Sequence, residues 1–370
     1  MISSILIFLI VLSVLILVHE LGHFWAAKRS GVLVEEFGIG LPPRIIGKKI
    51  GETIYSINLF PFGGFVRLYG EMSDEEVTKP KRAFVGKSKK VKVTILLAGV
   101  LMNFLLAIFA FGTVYSFSGI PKETKDIRII EVTSGSPAQT AKILVGDIVR
   151  KVDDKEIFSV SEFIEIVEEK KGERIVLEIE RVKGEEKTLE KIRIKPREDP
   201  PEEEGPLGVV ITSTEIYFPP IWQRPFVGIY YGFKEAMFWG TAVVSGFINI
   251  IAGLFVGRAP KDLAGPIGIF AITSEAAKYG ALAVINFVGI LSVNLAILNI
   301  IPFPALDGGR LLFIAIESVF GKKVLPKLEV TLHTIGMIIL ILLLLAITIN
   351  DVQRLISNGG ISGFLESVLR

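Results

Sequence analysis

Leu17-Val18-His19-Glu20-Leu21-Gly22-His23-Phe24 is the stretch on which the reading of this chain turns. It contains H-E-x-x-H, and it lies at the end of the almost wholly apolar run Ile5 to Val18. On a helix, positions i and i+4 share a face, so both imidazoles can point at one metal ion. Glu20 lies beside them, placed to take a proton from water. By itself the motif also fits two helix histidines with unrelated roles. The setting weighs against that. An ionisable group at membrane depth costs about 2.5–3.5 kcal/mol on insertion scales, and two of the chain's three histidines stand here with a carboxylate.

Outward from this stretch, composition sets the class. Half of the 370 residues are hydrophobic and they are clustered, so a polytopic membrane protein is expected. The net charge of +2 calls for no nucleic-acid partner, and the partners expected are the lipid bilayer and single-span membrane proteins. There is no cysteine, which excludes disulfides and a thiolate zinc site, so any zinc must be held by His, Asp or Glu. The N-terminal run has no basic n-region and no small-x-small cleavage site, and it continues into the histidine pair; it reads as a retained transmembrane helix rather than a signal peptide.

The fold class expected is an α-helical polytopic membrane protein with four transmembrane helices. The first occupies 1–30, the second 91–118, the third 281–310, and the fourth, with a C-terminal tail, 331–370. Each can cross ~30 Å of hydrocarbon. Residues 226–256, within a linker at 213–280, carry Lys234 and Glu235 and read as an interfacial helix rather than a span. Lysine and arginine crowd the 31–90 segment, and Arg310, Lys322, Lys323 and Lys327 mark the link at 311–330. Both segments should then be cytoplasmic. Both termini and the long insert fall outside, and His19 and His23 lie near the cytoplasmic end of the first span.

Within 31–90, the alternation Thr53-Ile54-Tyr55-Ser56-Ile57-Asn58-Leu59, punctuated by glycine and proline, reads as β-hairpins inserted partly into the membrane. Gly63-Gly64-Phe65 sits in one of them, where a strand edge can meet an extended substrate. The region 119–212 is soluble in character. Its expected order is β-α-β-β-α-β-β, and with Ser136-Pro137-Ala138 followed by Gly146-Asp147-Ile148 it resembles a PDZ domain. Glu198 to Gly205 reads as a solvated acidic linker.

The third span ends in Asn299-Ile300-Ile301-Pro302-Phe303-Pro304-Ala305-Leu306-Asp307-Gly308-Gly309-Arg310. Two prolines break the helix and two glycines permit close backbone approach. Asp307 is then either a turn aspartate at the membrane surface or a buried ligand. Two histidines and one carboxylate with a fourth position open would make a catalytic zinc set.

H-E-L-G-H with N-x-x-P-x-P-x-L-D-G-G resembles the site-2 protease family of intramembrane metalloproteases, of the bacterial type with a single PDZ domain. Gly63-Gly64-Phe65-Val66, Ala98-Gly99-Val100-Leu101-Met102-Asn103-Phe104 (similar to the family's Gly-x-x-x-Asn element) and Leu263-Ala264-Gly265-Pro266-Ile267 extend the likeness over nearly the whole chain. The resemblance implies that His19, His23 and Asp307 bind Zn2+ and that Glu20 is the general base. It implies that Asn299 meets the substrate backbone; Asn103 reads either as a second amide holding a freed substrate backbone or as an interhelical hydrogen-bonding residue, and the Gly63–Phe65 segment as a strand able to pair with the substrate. It further implies a bacterial inner-membrane enzyme acting on pre-trimmed anti-sigma factors or remnant signal peptides. His333 reads as a packing or interface residue. A zinc transporter would be expected to show inverted repeats and a chain of charged residues through the bilayer, and the sequence shows neither; a catalytically dead scaffold would not need Glu20.

Overall fold

A computed structural model of the protein describes residues 2–71, 77–183, 186–201, 204–257, 264–321, 326–360 and 363–364. Lys322 and Lys323 of the basic link, Leu263, and Glu202 and Glu203 of the acidic linker lie outside these residues. The chain divides into two compact units: one comprises 1–117 and 220–370, the other 118–219.

In the first unit, helix α1 (Ile2–Arg29) leads into strands β1 (Val34–Ile50) and β2 (Thr53–Leu68), then helix α2 (Lys89–Ser118). The two strands form a doubled ribbon. Val34 to Ile39 pair with Leu68 to Gly64, Phe37 and Gly38 are also opposite Tyr55 and Ser56, and Lys48 to Ile50 pair back onto Tyr55 to Thr53. Four rows result, with 64–68 at one edge. The register shifts between Glu36 and Arg44 let one strand serve several rows. Apolar side chains from α1, the ribbon and α2 (Phe24, Ala27, Val34, Leu68, Ile95, Leu96) form a small core beneath the histidines.

The second unit is an antiparallel sheet with two helices. Its elements are β3 (Ile120–Val132), α3 (Pro137–Thr140), β4 (Ile148–Val152), β5 (Lys155–Glu156), α4 (Val160–Glu169), β6 (Ile175–Lys183), β7 (Glu186–Ile194) and β8 (Val209–Tyr217). The strand order is β7-β6-β4-β3-β8, with β5 on β4. Ile127, Ile129, Val149, Phe163, Ile175, Leu177 and Ile179 are buried in its core. Ser136 and Ser159 cap α3 and α4 by accepting from the backbone N–H three residues on. β8 runs five residues beyond the expected end of this region, because its polar second half still pairs with β3 from Ile120 to Glu123.

The first unit resumes with α5 (Arg224–Phe255), α6 (Pro266–Lys278), α7 (Ala281–Ile300), α8 (Asp307–Phe320) and α9 (Pro326–Ser357). Among the described residues five helices, α1, α2, α5, α7 and α9, are long and apolar enough to cross a membrane. The expected four are among them; the fifth is α5, which the sequence reads as interfacial and which has the length and apolar composition of a span. Its two mid-helix charges, Lys234 and Glu235, are engaged locally. Tyr115 and Trp239 donate to the Glu235 carboxylate at 2.8 and 3.0 Å, and Lys234 Nζ lies over the rings of Tyr230 and Tyr231 at 4.9 and 5.6 Å. The outward faces of these helices carry exposed Leu, Ile and Phe, as expected of surfaces solvated by lipid.

Candidate active site

His19 and His23 both point to one side of α1, and both are buried. Asp307 arrives from 284 residues further on. α7 ends at Ile300, Pro302 and Pro304 prevent its continuation, and α8 begins at Asp307 itself. The return is tight. A Cβ at Gly309 would lie 2.5 Å from the Phe303 carbonyl oxygen, so only glycine fits there. The first turn of α8 also favours a negative charge, since its backbone N–H groups lack helical partners.

The three residues meet. His19 Nε2 is 3.1 Å from Asp307 Oδ2, His23 Nε2 is 3.2 Å from the same oxygen, and the two Nε2 atoms are 3.1 Å apart. A tetrahedral zinc with bonds of ~2.0–2.1 Å sets its ligands about 3.3–3.4 Å apart, so this near-equilateral triangle matches one face of such a site. The protonation pattern agrees. His23 Nδ1 is 2.8 Å from the Ile95 carbonyl, which can only accept. The ring proton is therefore on Nδ1, and the Nε2 lone pair faces the other donors. Among the described residues this is the cluster with metal-ligand spacing.

Glu20 follows His19 directly. It is half-buried, within electrostatic reach of both histidines and Asp307, and among the described residues it makes no hydrogen bond. Asn299 is half-buried on the last turn of α7, with its Nδ2 3.5 Å from His19 Nε2. Gly64 and Phe65 form part of the ribbon's edge row, and Gly63 precedes them in β2. Gly64 lies against Leu17 of α1, and Ser13 of the same helix donates to the Pro61 carbonyl at 3.0 Å, which brings the edge alongside the catalytic helix. Asn103, read as a substrate-side or an interhelical amide, is wholly buried, and its amide faces His19 Nδ1 at 3.5 Å.

Near the site, His333 packs as the sequence reading has it, against Phe313, with a bond to the ligand-bearing turn that sequence did not show, and Glu71 was missed. His333 accepts a hydrogen bond from the N–H of Ala305, two residues before Asp307. Glu71, just past β2, pairs with Arg310 of α8. Neither has a local motif. The nearest signal was the rarity of histidine and arginine in apolar sequence.

A model of peptidase family M50 matches residues 7–343. A relative in Clostridium perfringens is 34% identical over 93% of this chain and 97% of its own length, and one in Clostridium acetobutylicum is 32% identical over 94% and 97%. Both carry the words zinc metalloprotease in their names. Zinc metalloprotease RasP of Oceanobacillus iheyensis is 28% identical over 95% of this chain and 99% of its own. A triangle of two imidazoles and a carboxylate on apolar helices, within a match that spans nearly the whole sequence, shows that this chain belongs to peptidase family M50.

Proposed function

We propose that the protein is an intramembrane zinc metalloprotease that hydrolyses peptide bonds of single-span membrane proteins, with His19, His23 and Asp307 as the zinc ligands and Glu20 as the general base. The observation that carries this reading is the 3.1–3.2 Å triangle of donor atoms, two from the membrane-type helix α1 and one from the start of α8, just past the membrane-type helix α7. When bound there, zinc would supply Lewis acidity, making water easier to deprotonate and a carbonyl easier to attack. Glu20, next to the ligands and without a competing hydrogen bond, takes the proton from the attacking water and returns it to the leaving amine. Asn299 is the half-buried amide positioned to donate to the carbonyl as negative charge develops.

Attack on a peptide bond requires an extended backbone, so a substrate helix must unwind at the site. The edge row at 64–68 offers backbone groups to pair with the unwound segment. The lysine and arginine content of 28–92 favours a cytoplasmic ribbon, with the active site near that side and the N-terminus and the 118–219 unit outside. The PDZ-like order of that unit supports a role as a filter, excluding large ectodomains or binding the new C-terminus of a substrate trimmed beforehand. In a bacterium the setting would be the inner membrane, with anti-sigma factors and remnant signal peptides as substrates.

Incubating the purified protein with single-span peptides, with and without chelator, tests the reaction class: fragments should form only with metal present. Glu20→Gln should lower the rate by about 10²–10⁴-fold while zinc stays bound. If Glu20→Gln cleaves at the native rate, Glu20 is not the base.

A further inference from the structure

His23 has its tautomer set by the Ile95 carbonyl; among the described residues His19 has no carbonyl partner of this kind. Its Nε2 faces Asp307 and His23, and its Nδ1 faces the side chain of Asn103. We infer that Asn103 is a positioning residue, whose amide oxygen fixes His19 as the Nδ1–H tautomer and so turns the Nε2 lone pair toward the metal position. This rests on the zinc reading above.

Four observations carry it. First, Asn103 is wholly buried, so it does not present its amide to a substrate from solvent or lipid. Second, Nδ2 stands 3.5 Å from His19 Nδ1, while Oδ1 is buried without a partner among the described residues. Were Nδ2 to donate to Nδ1, the ring proton of a neutral His19 would sit on Nε2, inside the donor triangle, where no ligand can carry it. A half turn of the amide about χ2 exchanges its oxygen and nitrogen. Oδ1 then accepts from Nδ1–H, and Nε2 is free to bind.

Third, the residue is held in place. Ser292 of α7 donates to the Asn103 carbonyl at 2.8 Å and is itself buried. Fourth, Asn103 belongs to a row. Ile95, Gly99 and Asn103 follow at i, i+4 and i+8 on one face of α2, and all three serve the imidazoles. Ile95 orients His23 through its carbonyl. Gly99 gives both rings room, since a Cβ there would lie 2.5 Å from His23 Nε2 and 2.7 Å from His19 Cε1. Asn103 completes the row at His19. One stripe of α2 thus supplies an acceptor for each ring and the gap that admits them.

The test is zinc affinity of the full-length protein in detergent, measured by chelator competition. Asn103→Leu, which keeps the volume and loses the acceptor, should bind zinc about 10–100-fold more weakly, and Asn103→Asp, which keeps an acceptor, should stay within about threefold of native. Native affinity in Asn103→Leu would overturn the assignment. So would an equal loss in both variants, because packing rather than the acceptor would then be what matters. His23→Ala is the reference: if it too binds zinc at native affinity, the zinc reading fails, rather than only the role of Asn103. Should Asn103→Leu not fold, ¹⁵N-histidine NMR of the metal-free native protein decides with three histidines to resolve. A proton on Nδ1 of His19 is the expected result, and one on Nε2 overturns the inference.

Discussion

His333 Nδ1 accepts from the N–H of Ala305 at 2.9 Å, and Ala305 holds a φ of +80°. That conformation is uncommon for a residue with a Cβ and costs on the order of 1–3 kcal/mol unless its surroundings impose it. Here the histidine from α9, packed against the ring of Phe313, helps to impose it. Two residues later the same turn delivers Asp307. His333→Leu leaves a part-buried N–H without its protein acceptor, at a cost of about 1 kcal/mol, and it frees the turn that carries a ligand. Expected are a lower unfolding temperature in detergent and weaker zinc binding, both partly restored by His333→Asn, whose amide oxygen can accept. Unchanged stability in the leucine variant would remove His333 from this role. The four residues of the proposed chemistry were readable from sequence because two short motifs contain them. The strained Ala305 and its bond to His333 were not, since that bond joins residues 28 apart in sequence that are brought together only by the fold.

At the scale of elements, α5 shows what a hydropathy reading leaves out. Lys234 and Glu235 count against a span when taken as free charges, but each is paired on its own helix or on α2. Gly228, Gly232, Ala236 and Gly240 recur every fourth residue and make a smooth face. Between helices in lipid, small residues of this kind permit the close approach from which packing energy comes. A Cβ on Gly232 would stand 2.5 Å from the Ile108 carbonyl of α2. Gly232→Leu should therefore force α5 away from α2, lowering thermal stability by about 1–3 kcal/mol, whereas Gly246→Leu, on the same helix facing open space, should leave it near native. Equal stability of the two variants would mean that the smooth face is not packed as described. The ribbon was legible to a lesser degree. Period-2 alternation announced its strands, but the doubled pairing of Phe37 with both Val66 and Tyr55 depends on bulges that alternation does not encode.

At the scale of the whole molecule, the inserted unit is built so that its ends come together. Ile120 pairs with Tyr217, so the chain leaves β8 beside the place where it entered β3. The membrane unit closes the same gap independently, since Ser116 Oγ of α2 donates to the Arg224 carbonyl of α5 at 3.0 Å. Each unit has its own core, and each should respond to stress separately. Acid should reach the insert through Glu180. The Lys187 ammonium and the Arg150 guanidinium bound to it hold its carboxyl below the ordinary value of 4.5. A depressed carboxylate adds stability above its unfolded pKa and loses it as pH falls through the folded value. Exchange protection of residues 175–183, corrected for intrinsic rate, should therefore decline below about pH 4.5, and Glu180→Gln should flatten that decline. Excision asks more. Replacing 119–218 by a short Gly-Ser linker should leave zinc affinity and cleavage of short single-span peptides close to native, because the ligands and the α2–α5 junction all belong to the other unit. If the insert acts as a filter, the shortened protein should also cut substrates whose ectodomains are still intact, which the full chain spares. Loss of peptide cleavage on excision, with zinc still bound, would instead make the insert part of the catalytic apparatus.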